Sequence, residues 1–163
     1  MAKTEGLTHL DEAGRARMVD VGGKRATRRQ AEAEGCIRME LATLEAIRAG
    51  AVPKGDVLAI ARLAAIGGAK RTPDLIPLCH PLPLDSVEVT VGLEEELPGI
   101  RVVVASSAEA RTGVEMEALC GVSAGLLAVY DMCKAIDRGM EIGRIRLLSK
   151  TGGSRGDWKR GES

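Results

Sequence analysis

The sequence predicts an α+β sandwich: one antiparallel sheet with helices packed on a single face. Three observations carry this. Two runs of period-2 alternation flank a turn at residues 94–99, which is a hairpin signal. Apolar helical stretches lie on both sides of that hairpin in the chain. No internal repeat or low-complexity block divides the 163 residues, so one domain spans 1–163, with about 1–15 and 151–163 as mobile arms.

The elements follow in order. The chain up to Gly35 is polar and basic, and ends in Gln30-Ala31-Glu32-Ala33-Glu34. It reads as an arm or loop with at most one short strand over residues 17–21. Residues 36–41 form a short strand, Ile37 and Met39 alternating with Arg38 and Glu40. A helix over 42–49 stops at Gly50, a C-terminal cap. A second helix over 56–69 is apolar nearly all round apart from Arg62, which predicts burial. Pro73, Pro77, Pro81 and Pro83 then stiffen an extended loop around Leu78-Cys79-His80.

In the hairpin, Val87, Val89 and Val91 pair with a return strand carrying Ile100, Val102 and Val104, and three glutamates make a solvated tip. The longest helix covers 114–137, and a last strand covers 142–149, with Ile145 and Leu147 on one face. Ferredoxin-like topology is the closest common architecture for this order.

The long helix carries two faces. Leu119, Val122, Leu126, Val129, Cys133 and Ile136 form an apolar seam for the sheet. Opposite it, Glu117, Gly121, Ala124, Ala128 and Asp131 place small residues between two carboxylates. A solvated face would carry long polar side chains there, so this face is expected to meet a neighbouring subunit. Glu117 and Asp131 are separated by ~21 Å along a helix axis, too far to serve one small reacting centre from one chain. Antiparallel packing across a two-fold would bring them together. Lys134 follows Asp131 at i+3, within pairing reach. The same pattern also fits a helix with surface carboxylates and a weak ion pair.

Composition excludes several classes. With one Trp, one Tyr and no Phe, the core is aliphatic and no stacking platform for single-stranded nucleic acid exists. Lys plus Arg balance Asp plus Glu at 23 each, so no global basic field attracts DNA or an anionic membrane. No apolar run approaches a membrane span, and the N-terminus lacks a signal-peptide core. Cys36, Cys79, Cys120 and Cys133 form no C-x-x-C pair and only His9 and His80 accompany them, so a zinc finger is excluded and reduced cytoplasmic thiols are expected.

Anion binding must therefore be local. Lys24, Arg25, Arg28 and Arg29 cluster, and Lys54, Lys134 and Lys150 are further candidates. Lys54 precedes a helix start, where backbone N–H groups also favour anions. His80 is held by prolines and is suited to proton transfer or to donation to phosphate. Cys79 would act as a nucleophile only if activated, and adjacent residues of an extended chain point apart, so a Cys79–His80 dyad is not expected. The Gly67-Gly68-Ala69-Lys70 and Thr151-Gly152-Gly153-Ser154 stretches lack the order of a P-loop, and no Rossmann fingerprint is present.

Read together, blocks of the chain resemble the molybdenum cofactor biosynthesis protein C family, the cyclic pyranopterin monophosphate synthases. The blocks include Leu7-Thr8-His9, Lys54-Gly55-Asp56-Val57, Asp74-Leu75-Ile76-Pro77-Leu78-Cys79-His80-Pro81, Thr112-Gly113-Val114-Glu115-Met116-Glu117 and Tyr130-Asp131-Met132-Cys133-Lys134-Ala135. The resemblance implies conversion of a 3',8-cyclised dihydroguanosine triphosphate into cyclic pyranopterin monophosphate and diphosphate. It implies a ferredoxin-like fold and a homohexamer, a trimer of dimers with sites at dimer interfaces. It implies Asp131, Lys134, Lys54 and His80 as catalytic residues. Leu78, Cys79, His80, Met116, Glu117 and Glu115 are the expected substrate-binding residues, with Arg29 and Lys150 as triphosphate contacts. No cofactor and no protein metal site are expected, and Mg²⁺ is allowed as the triphosphate's companion. The rival expectation is a nucleotide-binding regulatory module of the same fold without catalysis.

Overall fold

The computed structural model describes residues 13–96, 98–154 and 156–161. The Leu7-Thr8-His9 block and residues 1–12 of the mobile arm expected over about 1–15 lie outside the described residues. In chain order the elements are β1 (Thr27–Arg38), α1 (Leu41–Arg48), α2 (Val57–Lys70), α3 (Thr72–Leu75), β2 (Ser86–Glu94), β3 (Gly99–Ala110), α4 (Glu115–Cys133), β4 (Glu141–Thr151) and β5 (Trp158–Lys159). The sheet runs β2-β3-β1-β4-β5, antiparallel throughout. Its first four strands give the βαββαβ order of a ferredoxin-like fold, and the helices pack on one face.

Strand β1 departs most from expectation. It starts at Thr27, well inside the supposed arm, and pairs over its full length with β3, from Thr27↔Ala110 to Arg38↔Gly99. Ala31, Ala33 and Ile37 are buried toward the helices, while Glu32 and Arg38 point away. Gly35 is required here: a Cβ would come within 2.8 Å of Val122 Cγ1 and 2.9 Å of Leu126 Cδ1. The short strand expected over 17–21 is absent, and only a single bridge residue, Ala16, precedes β1 among the described residues.

On the open face of the sheet, Glu34 is buried beneath two arginines. Arg101 Nε donates to Glu34 Oε2 at 2.8 Å, and Arg146 Nε donates to Oε1 at 2.8 Å. Burial pushes this carboxyl up, but the hydrogen bonds and charges of Arg101 and Arg146 outweigh it, so the net shift is downward.

Both early helices carry local caps, that of the first at the glycine the sequence suggests. Asp56 caps α2 by accepting from the Ala59 N–H at 2.9 Å. Gly50, at φ +66°, ends α1 in the left-handed region. The cap at the start of α1 comes from far away: Asp137 Oδ2 accepts from the Glu40 N–H at 2.9 Å and from Thr43 Oγ1 at 3.3 Å. That carboxylate also ties down the exit of α4, since its Oδ1 accepts from the Gly139 N–H at 2.9 Å.

The long helix α4 ends at Cys133, four residues short of the expected end, because residues 134–136 form turns rather than a further helical turn. Val122, Leu126, Val129 and Cys133 are fully buried on the sheet, while Ile136, beyond the helix, is exposed. The small-residue face does not await a neighbouring subunit as expected; α2 of the same chain occupies it. A Cβ on Gly121 would lie 3.1 Å from the Ala65 carbonyl oxygen, and one on Gly125 would lie 3.2 Å from that of Ala61. A Cβ on Gly68 would overlap Ala124. The two backbones therefore meet through glycine and alanine. Core burial on both sides also explains why α4 is apolar enough, by length and hydropathy, to resemble a membrane span. Conversely, α2 is not buried all round: Ile60 and Leu63 are exposed, as is Leu127 on α4.

Candidate active site

Two clusters of functional side chains lie at the two ends of α4. The first surrounds a cavity of about 470 Å³ at its N-terminal end. Arg29 arrives from β1, Lys150 from the end of β4, and Leu78, Cys79 and His80 from the proline-stiffened loop. Glu115, Met116 and Glu117 come from the first turn of α4. Every residue expected to bind substrate thus lines one cavity. Other contributors carried no such expectation, among them Arg111 at the end of β3, Val19 and Val21. Arg111 adjoins the Thr112-Gly113 block but has no periodic or pairing signal of its own. Lys24, from the basic cluster, completes a set of four cations with Arg29, Arg111 and Lys150.

The side chains in this cavity are held in defined states. His80 Nε2 lies 2.8 Å from the Val19 carbonyl oxygen. A carbonyl only accepts, so Nε2 carries the hydrogen of this bond. Arg29 Nε donates to the Ala110 carbonyl at 3.2 Å. Glu117 is buried at 3% exposure, and desolvation raises its carboxyl above the usual range; the nearby Glu115 charge adds to this. Glu115 also lines the cavity, its carboxyl lying against Gly113. Burial raises the Cys79 thiol, and the charges of Glu117 and Cys120 act in the same direction. A thiol shifted that way is protonated at neutral pH, which removes its nucleophile reading.

The second cluster sits at the C-terminal end of α4 and outside that cavity. Asp131 Oδ2 accepts from Lys54 Nζ at 2.7 Å, and Oδ1 pairs with Lys134 Nζ at 2.7 Å. Lys54 Nζ also donates to the Asp131 backbone carbonyl at 2.9 Å. The sequence offers the Asp131–Lys134 pair through its i+3 spacing, whereas Lys54 comes from the turn before α2. Gly55, at φ +98°, shapes that turn. The hydrogen bonds of Lys134 and then Lys54 hold the Asp131 carboxyl down at about 2, and Asp131 in turn raises Lys134. All three side chains are about half exposed. Among the described residues, no group of three or more His, Cys, Asp or Glu side chains is placed to hold a metal ion.

Fold and geometry define a class first: a ferredoxin-like α+β protein with a cation-rich cavity at one end of its core helix and a lysine–aspartate–lysine cluster at the other. The comparison with known families is specific. Residues 18–153, most of the chain, match the MoaC family, and the chain belongs to it. This is an enzyme family, and membership gives the chain a role in molybdenum cofactor biosynthesis.

Proposed function

We propose that the chain is a cyclic pyranopterin monophosphate synthase, a diphosphate-releasing lyase. It would convert (8S)-3',8-cyclo-7,8-dihydroguanosine 5'-triphosphate to cyclic pyranopterin monophosphate and diphosphate. The observation that carries the reading is the gathering of Lys24, Arg29, Arg111 and Lys150 with His80 and Glu117 around one cavity, in a chain of this family. Four cations suit a triphosphate and a departing diphosphate. Glu117 and His80 lie beside them, where proton transfers to the purine or a sugar hydroxyl are needed. The net change is redox-neutral, so the reaction needs no redox cofactor; Mg²⁺ enters only as the triphosphate's companion.

Asp131 has a more particular part in this reading. A carboxylate held at about 2 is a poor proton acceptor at neutral pH. Its role is to hold Lys54 and Lys134 convergent, and the lysines then face the phosphate or the proton in flight. A purely regulatory nucleotide binder would need the cavity but not this second cluster.

The clusters stand ~21 Å apart along α4, so each active site combines one from each of two chains. The exposed Ile60, Leu63 and Leu127 on the helix layer offer an apolar contact for that pairing. The working form is a homohexamer, a trimer of dimers with sites at dimer interfaces. It acts in the cytoplasm, with a small-molecule substrate and neither nucleic acid nor membrane as partner. The test is to incubate the protein with the cyclised nucleotide and measure diphosphate and pterin product. Binding without product would favour the regulatory module. Mixing inactive Glu117→Ala and Asp131→Ala chains tests the shared site: after subunit exchange, activity should return to about a quarter of wild type by isologous pairing. No recovery, with exchange shown independently, would place a whole site in each chain.

A further inference from the structure

The tail beyond β4, expected as a glycine-rich charged arm, is instead sewn to the sheet. Ser149 pairs with Lys159 and Lys150 with Trp158, so Lys150 lies between β1 and β5 with strand partners on both sides. Arg160 donates from its backbone N–H to the Leu148 carbonyl and from Nε to the Leu147 carbonyl, both at 2.8 Å. Its guanidinium sits 5.7 Å from the Trp158 ring centroid.

Between β4 and β5 the chain turns on Gly152 and Gly153, both with left-handed φ of +84° and +88°. These bare positions lie flat on β1. A Cβ on Gly152 would overlap the Arg28 carbonyl oxygen, and one on Gly153 would overlap Arg29 Nη1. The Arg29 guanidinium is therefore bounded by the Ala110 carbonyl, at 3.2 Å from its Nε, and by the glycine backbone. Across the turn, the Gly156 N–H donates to the Gly153 carbonyl at 3.1 Å, and Asp157 Oδ1 accepts from the Gly152 N–H at 2.9 Å.

We propose that Asp157 is a positioning residue of the anion cavity, holding the Gly152 and Gly153 backbone against Arg29 so that the guanidinium stays aimed beside Lys150. Asp157 itself does not line the cavity. The anion-binding half of this inference rests on the function proposed above; the positioning half does not.

The experiment uses the full chain with inorganic diphosphate as the probe. Asp157→Ala should weaken diphosphate binding about fivefold, the scale of one lost hydrogen bond. In turnover the loss should appear in KM, with kcat unchanged. Asp157→Asn keeps the acceptor oxygen and should restore binding. Because Asp157 acts through Arg29, Asp157→Ala should add nothing to Arg29→Ala in the double variant. A substrate-independent readout accompanies these: the Arg29 Nε–H resonance should move in Asp157→Ala and return in Asp157→Asn. An unmoved resonance, or additive losses in the double variant, would overturn the proposal. Failure of the wild-type chain to bind diphosphate would instead remove the anion-binding reading, while the resonance still decides whether Asp157 holds Arg29.

Discussion

Glu117 and Asp131 are two carboxylates on one helix, and their surroundings drive them in opposite directions. Glu117 is buried at the mouth of α4, and desolvation raises it. Asp131 is exposed near the helix end, and two ammonium groups lower it to about 2. The contrast shows that burial and neighbouring charge set which role a carboxylate can play. Glu117 holds its proton more tightly than an ordinary carboxyl; Asp131 serves as a fixed negative charge.

The largest effect should come from breaking the fixed charge. Asp131→Asn preserves shape but frees Lys54 and Lys134, and should lower turnover by about 10²–10⁴-fold, as Asp131→Ala should. Steady-state assay of diphosphate release checks this. Near-normal turnover in the Asn variant would show that charge is not what Asp131 supplies.

A pH series sharpens the other half. Ionised Glu117 adds a negative charge to an anion cavity, so diphosphate affinity should fall as pH rises through its raised pKa, and Glu117→Gln should flatten that fall. Stability should move the same way for Glu117. The folded state holds its proton more tightly than the unfolded state, so its contribution is lost as pH rises from the ordinary carboxylate range through the raised value. Asp131 has the opposite sign, its contribution being lost as pH falls below the ordinary range toward about 2. Denaturation midpoints of the Gln and Asn variants across pH would separate the two slopes; parallel slopes would contradict the assignment.

The smallest effect concerns the scaffold that separates the two sites. Gly125→Val would press on the Ala61 carbonyl and should cost about 1–3 kcal/mol by overpacking the α2–α4 contact, read by chemical denaturation. A neutral result would mean that the helices can move apart.

Much of this was legible beforehand. Val87, Val89 and Val91 against Ile100, Val102 and Val104 declare the hairpin, and their register is Val89↔Val104 and Val91↔Val102. Leu78, Cys79, His80, Glu115, Met116 and Glu117 were likewise named from the blocks that carry the family resemblance. Strand β1 was hidden because Ala31, Ala33 and Gly35 are weak strand formers and the intervening glutamates suggest solvent. The clue was period-2 alternation of small and charged residues, which is still a strand pattern when the inward positions are nearly empty. The occupant of the glycine face of α4 was hidden because small residues announce a close neighbour without saying whether it comes from the same chain. The distant partners, Lys54 for Asp131 and Asp137 for the start of α1, leave no local signal, since each lies dozens of residues away.

The placement of β1 has a consequence for how the chain reaches its fold. It is the first of the five strands to leave the ribosome, yet its partners are β3 and β4, and β4 begins at Glu141. During synthesis β1 must wait with both edges unpaired, the circumstance in which strands recruit the wrong partner. The charged alternation that disguises it as an arm, from Arg28 through Glu32 and Glu34 to Arg38, supplies gatekeepers along the waiting strand. Only when β3 and β4 arrive are Arg101 and Arg146 in place to neutralise Glu34. Charges spaced in this way along a strand oppose wrong pairing before its partners exist.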